Sequence, residues 1–593
     1  MRRRYSPGQD EEDIPESPKM NGRRYPPRSW TRFPRLAYVV ALAVITLGAY
    51  LYLLPLASKK MPAPLVGQPN LQDTSISEPE TKPTAPSPPA SPATLLSADI
   101  AKRDAIVKAF KHAWHAYERD AMGMDEYHPI SHRGTNLGSN GGIGYTVVDA
   151  IDTILIMGLD SEYKRARQWV RTKLTFDRDG NFNNFETTIR VLGGLLSAYH
   201  LSNDKLYLNK ADDLASRILP SFNTESGLPL PMTNLGKKEP VPDQWSSNLV
   251  STAEAATLQL EFRYLAEQTG KKDYWHKAEK VMEVIKKASL PHHLVPISMN
   301  SDTGDFRLSS EIRLGSRGDS YYEYLLKQYL QTNRTEPIYQ KMYDDSMQGI
   351  HDNLIKKTPT KHMTYIAEMI PNHGGNNGGY DISPKQDHLV CFLAGSLMLG
   401  ATTSGARSST VSVPPRMEEL SPQGQRDWKT GVELLETCMY THETETGLSP
   451  EIAMFHTSPP PAGERDWYIK NSRKGGPSGY DARYMLRPET VESIFLAWRL
   501  TGDAKYREYA WRIFSSIEKH ARLSSGGYAT VLDVDTVPVK LDDKQETFFL
   551  SETLKYLYLT FSDSSVIPLK DHVFNTEAHP LPIFQPTIKP AFS

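Results

Sequence analysis

The chain has 593 residues, with 68 Lys and Arg against 70 Asp and Glu and only 2 cysteines. Near-balanced charge without an extended basic block gives no electrostatic footprint for nucleic acid, and no nucleic-acid-binding motif occurs, so that class is excluded. The length admits several average domains or one large repetitive domain, and the pattern along the chain has to decide.

Residues 1–35 form a polar tail in which Arg23, Arg24, Arg28, Arg32 and Arg35 crowd the C-terminal half. From Leu36 to Ala57 runs an uncharged, mostly apolar stretch of about 22 residues, enough to cross the hydrocarbon of a bilayer as a helix. A cleaved signal peptide has a shorter apolar region and a small-residue cleavage site and would not follow such a tail. The stretch therefore reads as a transmembrane signal-anchor. Five arginines on one flank against Lys59 and Lys60 on the other predict a cytosolic N-terminus and a lumenal bulk. Residues 58–94, dense in Pro, Ser and Thr, read as an extended stalk. The lumenal domain is then 95–593. Its Cys391 and Cys438 can form one intramolecular disulfide in an oxidising compartment or stay as two buried thiols. Asn333-Arg334-Thr335 is a glycosylation acceptor usable in that topology.

Within the lumenal domain a pattern returns. Ser202 to Ala211, Thr269 to Ala278 and Thr501 to Ala510 each carry Tyr five residues in and Ala nine residues in, and Gly158-Leu159-Asp160 with Tyr163 is a looser copy. Each reads as a helix, a tight glycine or Asx turn, and an antiparallel helix, with Tyr and Ala facing the next repeat. At about 65 to 75 residues per hairpin the domain divides into roughly seven pairs, which predicts a closed α/α toroid. Short β-hairpins are expected at Leu294 to Ile297 and Gly526 to Leu532. Two stretches rich in Ser, Pro and Gly, Ala401 to Gln423 and Thr457 to Gly479, read as loop insertions, the first in preference to a domain boundary because the same repeat lies on both sides.

Acids recur at predicted helix starts. Glu186 and Arg190 stand four apart at the entrance of a helix made apolar by the following Val191 to Leu196. Ser320 and Glu323 fit a capping box, which leaves Asp319 one residue outside the helix and free for another task. Pro450-Glu451 and Pro488-Glu489 read as helix starts with proline in the first position and the acid near the positive end of the dipole. Glu489 and Glu492 share a face, with Arg487 close by, so Glu489 is expected to be held ionised. Taken alone, Glu451 and Glu489 read as structural dipole partners, and Glu186 with Arg190 as a surface ion pair. Asp177 to Asn181 is not a calcium loop, since Phe182 and Thr188 stand where an EF-hand needs Gly and Glu. His292-His293 and His572 with His579 lack the spacing of a zinc site, and nothing resembles a nucleophile elbow or a phosphate loop. Paired carboxylates without such features point to glycoside hydrolysis, in which one carboxyl donates a proton and another activates water.

Taken together, Gly144 to Ala150, the Glu186 helix, Asp319 to Tyr324, the Glu451 and Glu489 segments and Phe574 to Pro580 resemble the class I α-1,2-mannosidases of glycoside hydrolase family 47. The resemblance covers essentially the whole lumenal domain. It implies an (α/α)7 barrel, calcium dependence and inversion of configuration. It implies Glu186 as proton donor, Asp319 and Glu489 as the acids that handle the attacking water, and Glu451 as a further active-site acid. Arg190, Arg487, Glu492, Phe548 and Glu552 match positions lining the sugar pocket, with His388 beside them, and Thr576 matches the direct protein ligand of Ca2+. Glu186 to Arg190, His388 to Leu393 and Pro488 to Ser493 look most like the endoplasmic-reticulum branch, which removes one mannose from the nine-mannose N-glycan, and Cys391 with Cys438 matches its disulfide. Ala394, proline in relatives, and the two insertions depart from the pattern. The expected residence is the endoplasmic reticulum membrane, with the early Golgi as alternative. Two rival readings remain: a lectin-like quality-control factor that binds mannose glycans without hydrolysis, and a membrane-tethered helical scaffold.

Overall fold

Helix, tight turn and antiparallel helix repeat along the computed structural model, which describes residues 96–243, 248–372, 379–470 and 478–592. The tail, anchor and stalk expected over 1–94 lie outside the described residues. Among the described residues no helix is long and apolar enough to cross a membrane.

Among the described residues fourteen helices carry the architecture: α1 Ile100–Ala121, α2 Tyr145–Ile156, α3 Asp160–Thr172, α4 Gly193–Ser202, α5 Lys205–Ile218, α6 Gln259–Thr269 and α7 Lys272–Lys287, then α8 Asp319–Gln331, α9 Pro337–Asn353, α10 Phe392–Ala401, α11 Pro422–Thr441, α12 Glu489–Thr501, α13 Ala504–His520 and α14 Leu554–Phe561. Six pairs are sequential hairpins, α2/α3 through α12/α13, and the seventh joins the last helix, α14, to the first, α1. The even-numbered helices touch in the cycle α2, α4, α6, α8, α10, α12, α14, and the π-helical turn Phe549–Thr553 that leads into α14 packs back on α2. Pairing the first and last of these helices thus closes the ring.

Composition explains which helix goes inside. The helix α10 is buried at Phe392 to Met398 and again at Gly400 and Ala401, as a helix with neighbours on every side must be. By contrast α3 buries only Glu162, Ala166 and Val170, one stripe at four-residue spacing. The repeat residues behave as expected: Tyr207, Tyr274 and Tyr506 with Ala211, Ala278 and Ala510 are all buried. Asn203, Gly270 and Gly502 end α4, α6 and α12 in the left-handed conformation that the tight turn requires. A Cβ on Gly194 would meet the Val148 carbonyl at 2.6 Å, so glycine is what lets α4 lie against α2.

Short antiparallel hairpins line the connections, and the expected strands shift. Ser298–Asn300 is the strand near Leu294 to Ile297, which itself is irregular, and within Gly526 to Leu532 the strand is Thr530–Val531, paired with Leu541–Asp542, with Tyr528 in an isolated bridge to Arg522. The Ala401 to Gln423 insertion is the connection inside the α10/α11 hairpin, not a domain boundary. One hairpin matters most for the site: His572–Phe574 pairs with Pro580–Pro582, packs against α8 and α4, and carries residues 575–579 at its turn.

Candidate active site

Glu186 ends the short helix Asn184–Glu186, and the Asn183 side-chain oxygen caps it by accepting the Glu186 backbone N–H at 2.8 Å. The chain then widens into a π-helical turn, Thr187–Leu192. The sequence suggested an ordinary helical face here; the π turn keeps the Glu186–Arg190 pair but re-aims the residues beyond Arg190, as such turns do at functional sites. Arg190 Nε donates to Glu186 Oε2 at 2.8 Å, and its Nη1 reaches Thr547 Oγ1 at 3.0 Å and the Glu577 carboxylate. Glu186, 39 % exposed, opens on a cavity of about 380 Å³ lined also by Tyr145, Asn183, Arg190 and Thr547.

Arg487 holds Glu451 through two bonds, 2.7 Å from Nη2 and 3.1 Å from Nε, the bidentate fit that guanidinium makes to carboxylate. Two expectations fail here. Glu451 stands in a bend entering the strand Ile452–Phe455, not at a helix start, and the partner of Arg487 is Glu451, not Glu489. Leu486, buried with φ of 65°, is a left-handed non-glycine residue next to Arg487. Such a conformation costs about 1–3 kcal/mol. Thr553 Oγ1 donates to the Leu486 carbonyl at 2.7 Å and holds it there. Between the two arginines lies Phe548, 5.6 Å from the Arg190 guanidinium and 5.3 Å from that of Arg487. Its ring is thereby fixed as a flat apolar surface between charged groups.

Glu489 is the first residue of α12, with Pro488 flanking the helix rather than inside it. Burial pushes its carboxyl up to about 7, against the pull of Arg487, so the expected ionisation by dipole and arginine is reversed. Its Oε2 has no hydrogen-bond partner and lies 3.8 Å from His388 Nε2. Burial also holds the His388 imidazole well below its usual range, hence neutral, and the ring bonds to Thr490 Oγ1 at 3.2 Å. Asp319 is the first residue of α8, inside the helix, and no side chain caps it, so the capping box is absent: Glu323 pairs with Lys327 instead. The Asp319 carboxylate accepts the Ser320 N–H at 2.8 Å, and burial with the nearby charges of Glu323, Glu489 and Asp387 raises it to about 7.

Thr576 lies on the turn of the 572–582 hairpin, which the inner helices grip. Asn575 Nδ2 donates to the Ile189 carbonyl at 2.8 Å and to Glu261 at 2.7 Å, and Lys555 Nζ donates to the Ala578 carbonyl at 2.7 Å. Beneath, His579 bridges Asp152 at 2.8 Å and Asp149 at 3.1 Å, with Lys555 2.9 Å from Asp152 and all four side chains 0 % exposed. These carboxylates raise His579 to about 9 despite its burial, so it is a cation at neutral pH. Around Thr576 the acids outnumber the bases. Burial and mutual repulsion raise Glu492 and Glu577 to about 8 and push Glu552 well up, with Lys327 and Arg190 opposing. Lys327 stands 3.7 Å from Glu492. This concentration of carboxyl oxygens, kept partly protonated by mutual repulsion, fits a hard divalent cation that would displace the protons. Among the described residues no three His, Cys, Asp or Glu side chains converge on one point as a ligand set. A cation there would rest on Thr576 oxygens and waters, with the carboxylates one layer out.

The structure therefore gathers Glu186, Arg190, Asp319, His388, Glu451, Arg487, Glu489, Glu492, Phe548, Glu552 and Thr576 into one electrostatic unit. Cys391 and Cys438 are joined as a disulfide behind it, and Ser493 of α12 donates to the Cys391 carbonyl at 2.5 Å. Asn333 stands apart, exposed on the turn after α8. Sequence reasoning missed Glu261, Glu323, Lys327, Glu577 and the Asp149, Asp152, Lys555, His579 network. The four-residue spacing of Glu323 and Lys327 signalled one pair, and Asp149, Glu577 and His579 lie inside the Gly144 to Ala150 and Phe574 to Pro580 motifs without having been singled out.

A ring of helical hairpins around buried carboxyls, flanked by guanidinium groups and a flat aromatic wall, is the site of a glycoside hydrolase. The family model described as glycosyl hydrolase family 47 matches residues 109–583, and the chain belongs to that family. It is 43 % identical over 490 residues to a mannosyl-oligosaccharide 1,2-alpha-mannosidase of Candida albicans, across 81 % of this chain and 83 % of that one. It is also 43 % identical to the endoplasmic reticulum mannosyl-oligosaccharide 1,2-alpha-mannosidase of Schizosaccharomyces pombe, across 82 % of this chain and 91 % of the relative. Among solved structures, an alpha-1,2-mannosidase from Trichoderma reesei superposes with a TM-score of 0.71 at 26 % identity, covering 82 % of this chain and all (100 %) of that one.

Proposed function

We propose that this protein is a calcium-dependent, inverting mannosyl-oligosaccharide 1,2-α-mannosidase that trims terminal α-1,2-linked mannose from high-mannose N-glycans, taking the nine-mannose form to the eight-mannose form. The names of its relatives and its family membership support the activity and the substrate class. The observation that carries the mechanism is the unpartnered Glu489 Oε2, on a carboxyl set near 7 beside a neutral His388. A general base works best with a pKa near the operating pH. Asp319 already spends lone pairs on Ser320, so the base role falls to Glu489 and the positioning of the water to Asp319.

The water oxygen bonds to the anomeric carbon as its proton passes to Glu489. The glycosidic C–O bond breaks, and the leaving oxygen takes a proton from the Glu186 side of the pocket, where Arg190 fixes the carboxyl. Phe548 offers its face to the sugar ring, and Arg487 with Glu451 forms a rigid polar wall. Calcium, when bound, would act as a hard cation that sugar hydroxyl and water oxygens coordinate; Thr576 would hold it, with Glu492, Glu552 and Glu577 balancing its charge. Residence in the endoplasmic reticulum membrane in type II orientation follows from the basic flank of the Leu36 to Ala57 stretch and from the relatives' names. The test is mannose release from a labelled nine-mannose glycan by the purified protein, with and without chelator. Release only with calcium is expected. No release with calcium present would refute the enzyme, leaving the lectin-like reading, and unchanged release in chelator would refute the calcium role.

A further inference from the structure

A second cavity, of about 350 Å³, lies between α8, α10, α12 and the 572–582 hairpin. Leu330, Leu399, Leu496, Leu569 and Phe574 form its walls, and Lys327 and Glu492 close its inner end. Arg334 and Lys570, both exposed, stand at its mouth. So does Asn333, the acceptor of the Asn333-Arg334-Thr335 sequon. A cavity of this size falls in the range of small-ligand pockets, about 300–1,000 Å³. Asp319 opens α8 and Asn333 lies just past its end, so the two are separated by roughly 20 Å of helix at 1.5 Å per residue. The mouth of the cavity thus lies at the other end of the helix from Asp319, and only its inner end, at Lys327 and Glu492, reaches the acid cluster.

We propose that Asn333 carries an N-glycan whose N-acetylglucosamine core docks into this cavity. The apolar walls would cover the sugar face and the N-acetyl methyl, while Arg334 and Lys570 donate to its oxygens. Modification replaces one Asn333 Nδ2–H bond with a bond to the anomeric carbon of a diphosphate-activated oligosaccharide, and the diphosphate leaves as the displaced proton is lost. One N–H remains on the amide. It preserves the 3.3 Å bond that Asn333 Nδ2 donates to Gln585 Oε1 and so sets the direction of the linkage. The left-handed backbone of Asn333, φ 52°, is one that asparagine tolerates and that lifts the turn into solvent. Access to glycosylation rests on the lumenal orientation read from the N-terminal arginines, not on hydrolytic activity.

The full chain produced in a eukaryotic secretory host should yield a glycosylated Asn333 peptide by mass spectrometry. An endoglycosidase that cuts between the first two N-acetylglucosamines should release the glycan about tenfold more slowly from the folded than from the denatured protein, because cleavage waits for local opening. Leu569→Trp, and independently Leu399→Trp, fill the cavity and should make release from the folded protein as fast as from the denatured one at unchanged occupancy. Thermal unfolding identifies which of the two variants is folded and can be read. An unmodified Asn333, equal release rates from folded and denatured wild type, or slow release from a folded cavity-filling variant would overturn the proposal. No readout is mannose release, so each such failure leaves the proposed activity standing.

Discussion

Glu489 shows how burial and charge compete at a single residue. Its position at a helix start and its closeness to Arg487 favour ionisation, yet desolvation wins and raises it to about 7, because Arg487 spends its two best bonds on Glu451. If Glu489 is the base, activity requires its ionised form. We expect kcat/KM to rise as pH increases through about 7, read in a pH profile of mannose release, and a profile flat from about 5 to 8 would contradict the role. Glu489→Gln keeps shape but has no base; turnover should fall by about 10²–10⁴-fold while glycan binding, measured by calorimetry, is retained. Arg487→Lys removes the bidentate hold on Glu451 and the contact to Phe548. It should raise KM for the glycan more than it changes kcat, because the wall it supports faces bound sugar throughout the reaction.

At the scale of elements, two π-helical turns do what regular helices could not. Thr187–Leu192 carries Arg190, and Phe549–Thr553 carries Glu552 and comes directly after Phe548, so each places its site residues at the entry to an inner helix. The sequence showed the acid and arginine of the first but not the extra residue in the turn, since π and α turns have the same composition and differ only in what packs beside them. The disulfide acts on another pair. It ties the start of α10 to the outer helix α11, and α10 in turn packs on α12, which bears Glu489 and Glu492. Replacing both cysteines by serine should cost about 2–4 kcal/mol in denaturant unfolding.

Over the whole molecule, the acid cluster and the His579 network make stability depend on pH in one direction. Glu492 and Glu577, ordinarily 4.5, titrate in the folded state near 8, so between those values the folded protein binds more protons than the unfolded chain and stability falls as pH rises. His579, raised from 6.5 to about 9, adds a contribution complete below 6.5 and lost as pH rises through 9. Calcium-free protein should therefore lose thermal stability from about pH 6.5 to 9; below 6.5 the trend is opposed by His200, His388 and His442, whose imidazoles burial holds below their ordinary value. Calcium should flatten that slope, since a divalent cation stabilises the ionised acids. Differential scanning calorimetry with and without calcium measures both, and a calcium-free Tm that rises across this range would contradict the account.

The sequence by itself determined the hairpin repeat, the list of candidate acids and the family, because helix periodicity, turn glycines and short motifs are local properties of the chain. It could not determine which charges meet. Asp149 and His579 are joined across 430 residues, Arg487 and Glu451 across 36, and α1 finds its partner α14 only when the ring closes. Burial then reset the carboxyl energies. Desolvation and charge repulsion depend on what surrounds a group in space, and only the tertiary structure sets that.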